Sequence, residues 1–138
     1  MSGIFIKPTV AEQFRAFLAR GRVLFFSAPC GCGKTALAEE LLKGKAVYRL
    51  FAGEADFAFP QEEGWDILLI EDFQRLQEDA EQKALCEWIR NYPEKRFVLL
   101  SRGTPPGYLM AFQYAGLMQV LDTYALLFDR EETRSFFQ

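Results

Sequence analysis

The residues best suited to chemistry lie between positions 27 and 35, directly after the apolar run VLFF. This segment reads SAPCGCGKT, and its spacing is that of a phosphate-binding loop. Gly31 and Gly33 let the backbone wrap closely, so that successive N–H groups face phosphate oxygens. Lys34 would add a positive charge at the β- and γ-phosphates, and the Thr35 hydroxyl would ligate Mg²⁺. The sequence therefore predicts a nucleotide site at this loop.

The loop departs from the common pattern at Ala28, which stands where the first glycine is expected. A helix that opens at Lys34 would direct the positive end of its dipole at the same anion. The alternative is a glycine-rich turn without a ligand, which the run Gly-x-Gly-Lys-Thr between a strand and a helix disfavours. The candidate nucleotide-binding residues are Pro29, Cys30, Gly31, Cys32, Gly33, Lys34, Thr35 and Ala36.

Two carboxylates, Glu71 and Asp72, end a second apolar run, ILLI. One carboxylate can hold Mg²⁺, directly or through water, and the other can orient or deprotonate an attacking water. The alternative is a pair of solvated acids at the end of a strand. Asp is the usual residue at the metal position, so the longer Glu71 either acts through water or leaves the larger share to Asp72. We take Thr35, Glu71 and Asp72 as the predicted ligands of Mg²⁺.

A third polar segment, Ser101 and Arg102, ends the apolar run FVLL. Arg102 would place a guanidinium near the γ-phosphate, where it could sense that group or stabilise charge that develops on it. The alternative is a surface arginine that pairs with Glu71 or Asp72. The candidate catalytic residues are therefore Glu71, Asp72 and Arg102.

Composition limits what else the chain can do. Its 138 residues suffice for one domain with a core, and half of them are hydrophobic. The net charge of −3, without a basic cluster, predicts that this chain makes no contact with DNA. No run of about 18 apolar residues and no N-terminal signal is present, which predicts a cytoplasmic protein without a membrane contact. An odd number of cysteines, three, predicts a reducing compartment, and the absence of histidine excludes Ser-His and Cys-His catalysis.

Helical and strand patterns alternate along the chain. Helices are predicted for about 10–19, where Thr9 and Glu12 form a capping box, and for 34–43, 77–92 and 108–114. Strands are predicted for 23–27, 46–51, 66–72 and 97–102, and the last strand is either 118–121 or 124–128. Residues 53–64 read as a loop, and Asp129 with Glu132 forms a capping box for a final helix.

Strands that alternate with helices through short connections predict an α/β fold, a three-layer α/β/α sandwich with a mostly parallel sheet of about five strands. Ligands of such sheets bind at the carboxyl ends of the strands. The phosphate loop, the acidic pair and the pair 101–102 all fall at those ends. Their convergence is the main sequence evidence for a single site.

Taken together, these segments resemble the ATPase domain of the LuxR-family large ATP-binding transcriptional regulators. These proteins are related to the bacterial maltose-regulon activator and belong to the STAND class of P-loop NTPases. The family's loop, Ser-Ala-Pro-x-Gly-x-Gly-Lys-Thr, is matched at 27–35, and its acids followed by an aromatic residue are similar to 71–73. Its Leu-x-Ser-Arg is matched at 99–102, with Pro105 soon after, and 127–132 resembles the stretch that opens its next helical region. The chain departs from the family at Glu71, at Ala36 and in the shorter segment 45–65.

The resemblance implies a switch that is inactive with ADP, self-associates with ATP and an inducer, and then activates transcription. In that family the sensor and the DNA-binding helix-turn-helix lie far downstream, so residues 1–138 are expected to be the P-loop NTPase domain of a longer regulator. A small P-loop kinase is the alternative, although the loop 53–64 lacks the Arg residues of a lid over polyphosphate. A domain that binds nucleotide without hydrolysing it is a third hypothesis, which Glu71 leaves open.

Overall fold

Strands and helices alternate along the chain in a computed structural model, which describes residues 8–27, 34–54, 57–61 and 63–122. The helices are α1 (Pro8–Arg20), α2 (Lys34–Leu41), α3 (Asp79–Asn91) and α4 (Met110–Tyr114), with short 3-10 helices at Phe73–Arg75 and Gly107–Leu109. The strands are β1 (Val23–Ser27), β2 (Val47–Phe51), β3 (Ile67–Glu71), β4 (Arg96–Ser101) and β5 (Met118–Asp122).

All strand pairs of the sheet are parallel, and the strand order is β2-β3-β4-β1-β5. Strand β4 therefore lies between β1 and β3, although it follows both in the sequence. The register sets Ser27 of β1 level with Ser101 of β4 and with Asp122 of β5. Continuous apolar runs form the central strands because both faces of a covered parallel sheet are buried.

The core is divided by the sheet into two layers of buried side chains. On one face, Phe25 of β1 packs with Leu85 of α3 and Phe112 of α4. On the other face, Phe26 packs with Phe17 of α1 in a cluster that also includes residues of α2. Successive side chains of a strand point to opposite faces, which is why neighbouring residues of β1 belong to different layers. The predicted fold class, a three-layer α/β/α sandwich, is confirmed.

Two helices begin at residues other than those predicted from the sequence. Helix α1 begins at Pro8, so Thr9 lies inside the helix and is not its N-cap. Proline is suited to the first turn because its missing N–H would have no partner there. Helix α3 begins at Asp79 instead of near Gln77, and its second residue, Ala80, is exposed. None of the helices in the described part of the chain is long and apolar enough to cross a membrane.

The first of the two predicted alternatives forms a strand, Met118–Asp122, which is the last strand of the described residues. It pairs with β1 along the full length of both strands. The second alternative, 124–128, and the predicted capping box of Asp129 and Glu132 lie outside the described residues.

Candidate functional site

The carboxyl ends of all five strands lie along one edge of the sheet, because the strands are parallel. Strand order brings three of the predicted segments together there. The end of β4 at Ser101 lies between the end of β1, from which the predicted phosphate loop departs, and the end of β3 at Glu71. The strands that precede the three motifs of the sequence thus end side by side.

The predicted phosphate loop itself falls partly outside the described residues. This applies to Pro29, Cys30, Gly31, Cys32 and Gly33. Strand β1 ends at Ser27, and the backbone of α2 begins at Lys34, as the loop pattern requires. Lys34, Thr35 and Ala36 form the first turn of this helix, and their side chains are not among those the structure describes. Their roles in binding phosphate and Mg²⁺ stay predictions.

Glu71 is the innermost acid of the site and is bound by an arginine that the sequence analysis did not single out. The residue is 8 % exposed, and its Oε2 accepts a hydrogen bond from Nε of Arg49 on the neighbouring strand β2. A second guanidinium nitrogen of Arg49 lies 3.0 Å from Oε1 of Glu39 on α2. The two carboxylates raise the pKa of Arg49, with the hydrogen bond to Glu71 as the larger cause. One permanent cation therefore bridges two carboxylates on the α2 face of the sheet.

Asp72 follows Glu71 in an unusual backbone conformation. Its φ of 53° and ψ of 44° fall in the left-handed region, and no other non-glycine residue in the described part of the chain has a positive φ. Asp adopts this conformation more readily than most residues do, because its short polar side chain is able to form hydrogen bonds with the nearby backbone. Its side chain makes no capping hydrogen bond to the 3-10 helix that follows. The turn ends the strand abruptly and leaves the carboxyl group of Asp72 half-buried at the edge of the sheet.

Three hydrogen bonds fix the end of β4 to its neighbours. The Ser27 hydroxyl donates to the Gly103 carbonyl at 2.8 Å, and the Gly103 N–H donates to the Ser101 hydroxyl at 3.1 Å. The N–H of Arg102 donates to the side-chain carbonyl of Gln74 at 3.0 Å, which links β4 to the 3-10 helix after β3. The backbone at Arg102 is thus held, while its side chain is exposed.

The guanidinium of Arg102 forms no ion pair with any residue that the structure describes, so the predicted alternative pairing with Glu71 or Asp72 is not found there. Arg49 takes that place on Glu71. A signal for it was present in the sequence: Arg49 is the sole charged residue of the predicted strand 46–51, AVYRLF. A charge inside an otherwise apolar strand is stabilised by a partner of opposite sign, and the acids near the strand ends were the candidates.

The donor chemistry at this edge fits Mg²⁺ and a nucleotide. Mg²⁺ binds proteins through one or two carboxylates and completes its shell with phosphate oxygens and water. Glu71 and Asp72 supply two adjacent carboxylates, and the first turn of α2 supplies a helix N-terminus for an anion. Thr35, Glu71 and Asp72 would hold the metal ion, and 29–36 would hold the phosphates.

A cavity of about 260 Å³ opens beside the end of β4. It lies between the 3-10 helix after β3 and the segment 103–108. Its polar lining includes the side chains of Gln74, Gln77, Gln82 and Thr104. The described lining of the cavity therefore carries no charged side chain, and it includes Ser101 at the end of β4.

This fold is that of the P-loop nucleoside triphosphatases. Among solved structures the chain is similar to an arginine-to-alanine variant of RuvB from Thermotoga maritima, with a TM-score of 0.57 and 19 % identity. The match covers 85 % of this chain and 45 % of RuvB, so the chain spans less than half the length of that protein. At this identity the likeness shows the fold alone. No protein-family profile matches the chain, and no curated protein matches it.

Proposed function

We propose that this chain is a nucleotide-binding switch domain that binds ATP and ADP with Mg²⁺ and hydrolyses ATP slowly. The proposal extends the resemblance noted above: residues 1–138 form the P-loop NTPase domain of a longer LuxR-family transcriptional regulator of the STAND class. On this proposal the exchange of ADP for ATP controls self-association, and DNA is bound elsewhere in the protein. The observation that supports the proposal is the strand order, which sets the carboxyl end of β4 between those of β1 and β3.

Each group has a defined part in the proposed reaction. The predicted loop and Lys34 bind the phosphates and align the terminal phosphoryl group. Bound Mg²⁺ would neutralise charge on the phosphate oxygens. Asp72, next to Glu71 and half-buried, orients a water molecule and accepts its proton. The backbone of Arg102 is held by Gln74. Its guanidinium would stabilise the negative charge that develops on the terminal phosphate.

Calorimetric titration of ATP and ADP with Mg²⁺ tests the nucleotide site. We expect saturable binding by the wild type and a loss of at least about tenfold in affinity for Lys34→Ala, because the lysine supplies a charge-assisted contact to the phosphates. Lys43→Ala is the matched control, since Lys43 lies in the turn that follows the same helix and pairs with Glu40 of that helix. Tighter binding of ADP than of ATP would support the resting-switch proposal.

If the wild type binds neither nucleotide at millimolar concentration, the proposed function is wrong. Equal losses for Lys34→Ala and Lys43→Ala would also count against it, because the effect would then be one of net charge and not of the loop.

The second candidate function is phosphoryl transfer to a small acceptor, as in a P-loop kinase. The uncharged cavity beside Ser101 favours it, because an acceptor hydroxyl bound there would adjoin the terminal phosphate. Release of free phosphate in the absence of any acceptor would exclude this candidate and support the switch. Stoichiometric consumption of ATP that depends on an added hydroxyl compound would establish it.

A further inference from the structure

The outward face of α3 carries four exposed charged residues that the proposed reaction does not use. In the order of the chain they are Asp79, Lys83, Glu87 and Arg90. With about 3.6 residues per turn, their positions fall within an arc of about 80° around the helix. They therefore form one line along α3, here called the α3 stripe, in which negative and positive charges alternate.

The charges of the α3 stripe form no ion pair within the part of the chain that the structure describes. Asp79 and Lys83 are four residues apart, and Glu87 and Arg90 are three apart, which are the spacings at which charges on one helix can pair. Neither pair forms, and no opposite charge from another element reaches the stripe in the described residues. These side chains are thus available to a partner from outside.

One of the four cations is already fixed in position. The guanidinium carbon of Arg90 lies 5.5 Å from the centroid of the Phe112 ring. This cation–π contact uses the flat face of the guanidinium, so the N–H groups along its edge are still able to bind a carboxylate. Arg90 is therefore ordered before a partner arrives, which reduces the entropy lost on binding.

A groove of about 370 Å³ lies beside the α3 stripe. Residues of the stripe line one side of it, and Tyr108, in the 3-10 helix before α4, lines the other. This part of the surface is therefore concave. A concave face can receive the long side chains of a partner better than a flat one.

The order of charges in the stripe is complementary to itself when the helix is reversed. In an antiparallel pair of α3 helices from two copies, Asp79 meets the partner's Arg90, and Lys83 meets the partner's Glu87. The midpoints of the two pairs coincide to within half a residue, about 0.8 Å along the helix axis. One two-fold axis therefore forms all four ion pairs at once. In a parallel pair each side chain would meet its own copy, and like charges would repel.

We propose that a second copy of this chain docks on the α3 stripe, antiparallel to the first and related to it by a two-fold axis. The proposal names the surface for the self-association that the proposed function includes, and it rests on that function. One face of a 13-residue helix is smaller than the about 800 Å² per partner of a standard interface. The contact is therefore weak and reversible, which suits an assembly that a nucleotide controls.

Two charge reversals, Lys83→Glu and Glu87→Lys, test the proposal by sedimentation velocity at saturating ATP and Mg²⁺. Each reversal sets like charges opposite one another twice per dimer, so we expect the association of each variant alone to weaken at least about tenfold. An equimolar mixture of the two variants should associate as the wild type does, because each reversed charge then faces an opposite charge. Mixing would not repair a defect in folding or in nucleotide binding.

The matched controls are Arg15→Glu and Glu12→Lys, which change the net charge by the same amounts. Both positions are exposed on α1, which packs on the other face of the sheet from α3. Each control variant should associate as the wild type does, alone and in the mixture. Wild-type association should also weaken as NaCl is raised from about 50 mM to about 500 mM, because salt screens exposed ion pairs.

Two results would overturn the proposal while the proposed function stands: reversals on α3 that change association no more than the controls, or a mixture that associates no better than its components. A wild type that binds ATP and stays monomeric at several hundred micromolar would overturn the self-association in the proposed function and this inference together. The two failures are therefore distinguishable in one series of measurements.

Discussion

At the scale of single residues, the candidate site includes a backbone conformation that has no signature in the sequence. Asp72 occupies the left-handed region, with φ at 53°. Such positions cost about 1 kcal/mol or more for residues with an ordinary side chain, and Asp and Asn tolerate them best. Asp72, which follows β3, therefore meets two requirements: it supplies a carboxylate for the proposed reaction, and it tolerates the left-handed backbone conformation.

Substitutions of Asp72 separate these two requirements. We expect Asp72→Asn to keep the free energy of unfolding within about 0.5 kcal/mol, and Asp72→Ala to lower it by about 1 kcal/mol, because alanine adopts the left-handed region less readily than Asp or Asn. Both variants lose the carboxylate, so phosphate release should fall at least about tenfold in each. Urea unfolding and a phosphate-release assay on the same preparations measure the two effects. Equal stability of the two variants would show that the conformation is not strained, and unchanged phosphate release would remove Asp72 from the reaction.

At the scale of elements, burial explains which parts of the fold could be predicted. Strands β1, β3 and β4 are apolar runs with both faces covered, so composition alone locates them. The segments 118–121 and 124–128 are both short and apolar, and composition does not separate them. The first became β5 because it pairs with β1, and such a pairing is decided by contacts distant in the sequence.

The motifs of the candidate site could be predicted from the sequence, whereas the contacts between its residues could not. Glu71, Asp72 and Arg102 stand at the strand ends, where the alternation of elements puts them. The Arg49–Glu71 pair depends on β2 lying beside β3 in a particular register, with Phe51 level with Glu71. The bond from Arg102 to Gln74 likewise requires that β4 lie beside β3. Neither neighbour relation is encoded in a local run of residues.

Helix α3 is fixed at the opposite edge of the sheet, by an arginine at the start of β1. The guanidinium of Arg22 donates to the carbonyl of Ile89 and, at 2.7 Å, to that of Tyr92. The last carbonyls of a helix have no partner within the helix, and a cation there also meets the negative end of the dipole. This contact holds α3, which lies in the connection between β3 and β4. It thereby stabilises the strand order on which the candidate site depends.

Replacement of Arg22 should therefore affect stability without affecting the site. We expect Arg22→Ala to lower the free energy of unfolding by about 1–2 kcal/mol, since it leaves carbonyl groups without their charged donor. Arg20→Ala, an exposed position in the last turn of α1, should change it by less than about 0.5 kcal/mol. Urea denaturation measures both, and the affinity of the folded Arg22→Ala domain for ADP should equal that of the wild type. A loss of ADP affinity in this variant would mean that the two edges of the sheet are coupled.

At the scale of the whole molecule, the candidate site and the contacts that hold the helix ends lie at opposite edges of the sheet. The edge with the strand ends carries the candidate site, and the opposite edge carries the contacts of Arg22 and Arg96 that bind helix ends to the sheet. The described part of the chain presents β2 and β5 as the two outermost strands. Changes at the site can therefore alter side chains along one edge while the two-layered core stays intact.

If hydrolysis is the timer of this switch, its rate should set the lifetime of the associated state. We expect the wild type to self-associate after addition of ATP and Mg²⁺ and to dissociate as phosphate is released. At saturating ATP and Mg²⁺, Asp72→Asn should associate and stay associated, because it hydrolyses ATP inefficiently. Lys34→Ala should stay monomeric, because it binds no nucleotide. Sedimentation velocity at fixed intervals, with phosphate measured in parallel, follows both events. Association of Asp72→Asn that decays at the wild-type rate would show that assembly is governed by nucleotide exchange and not by hydrolysis.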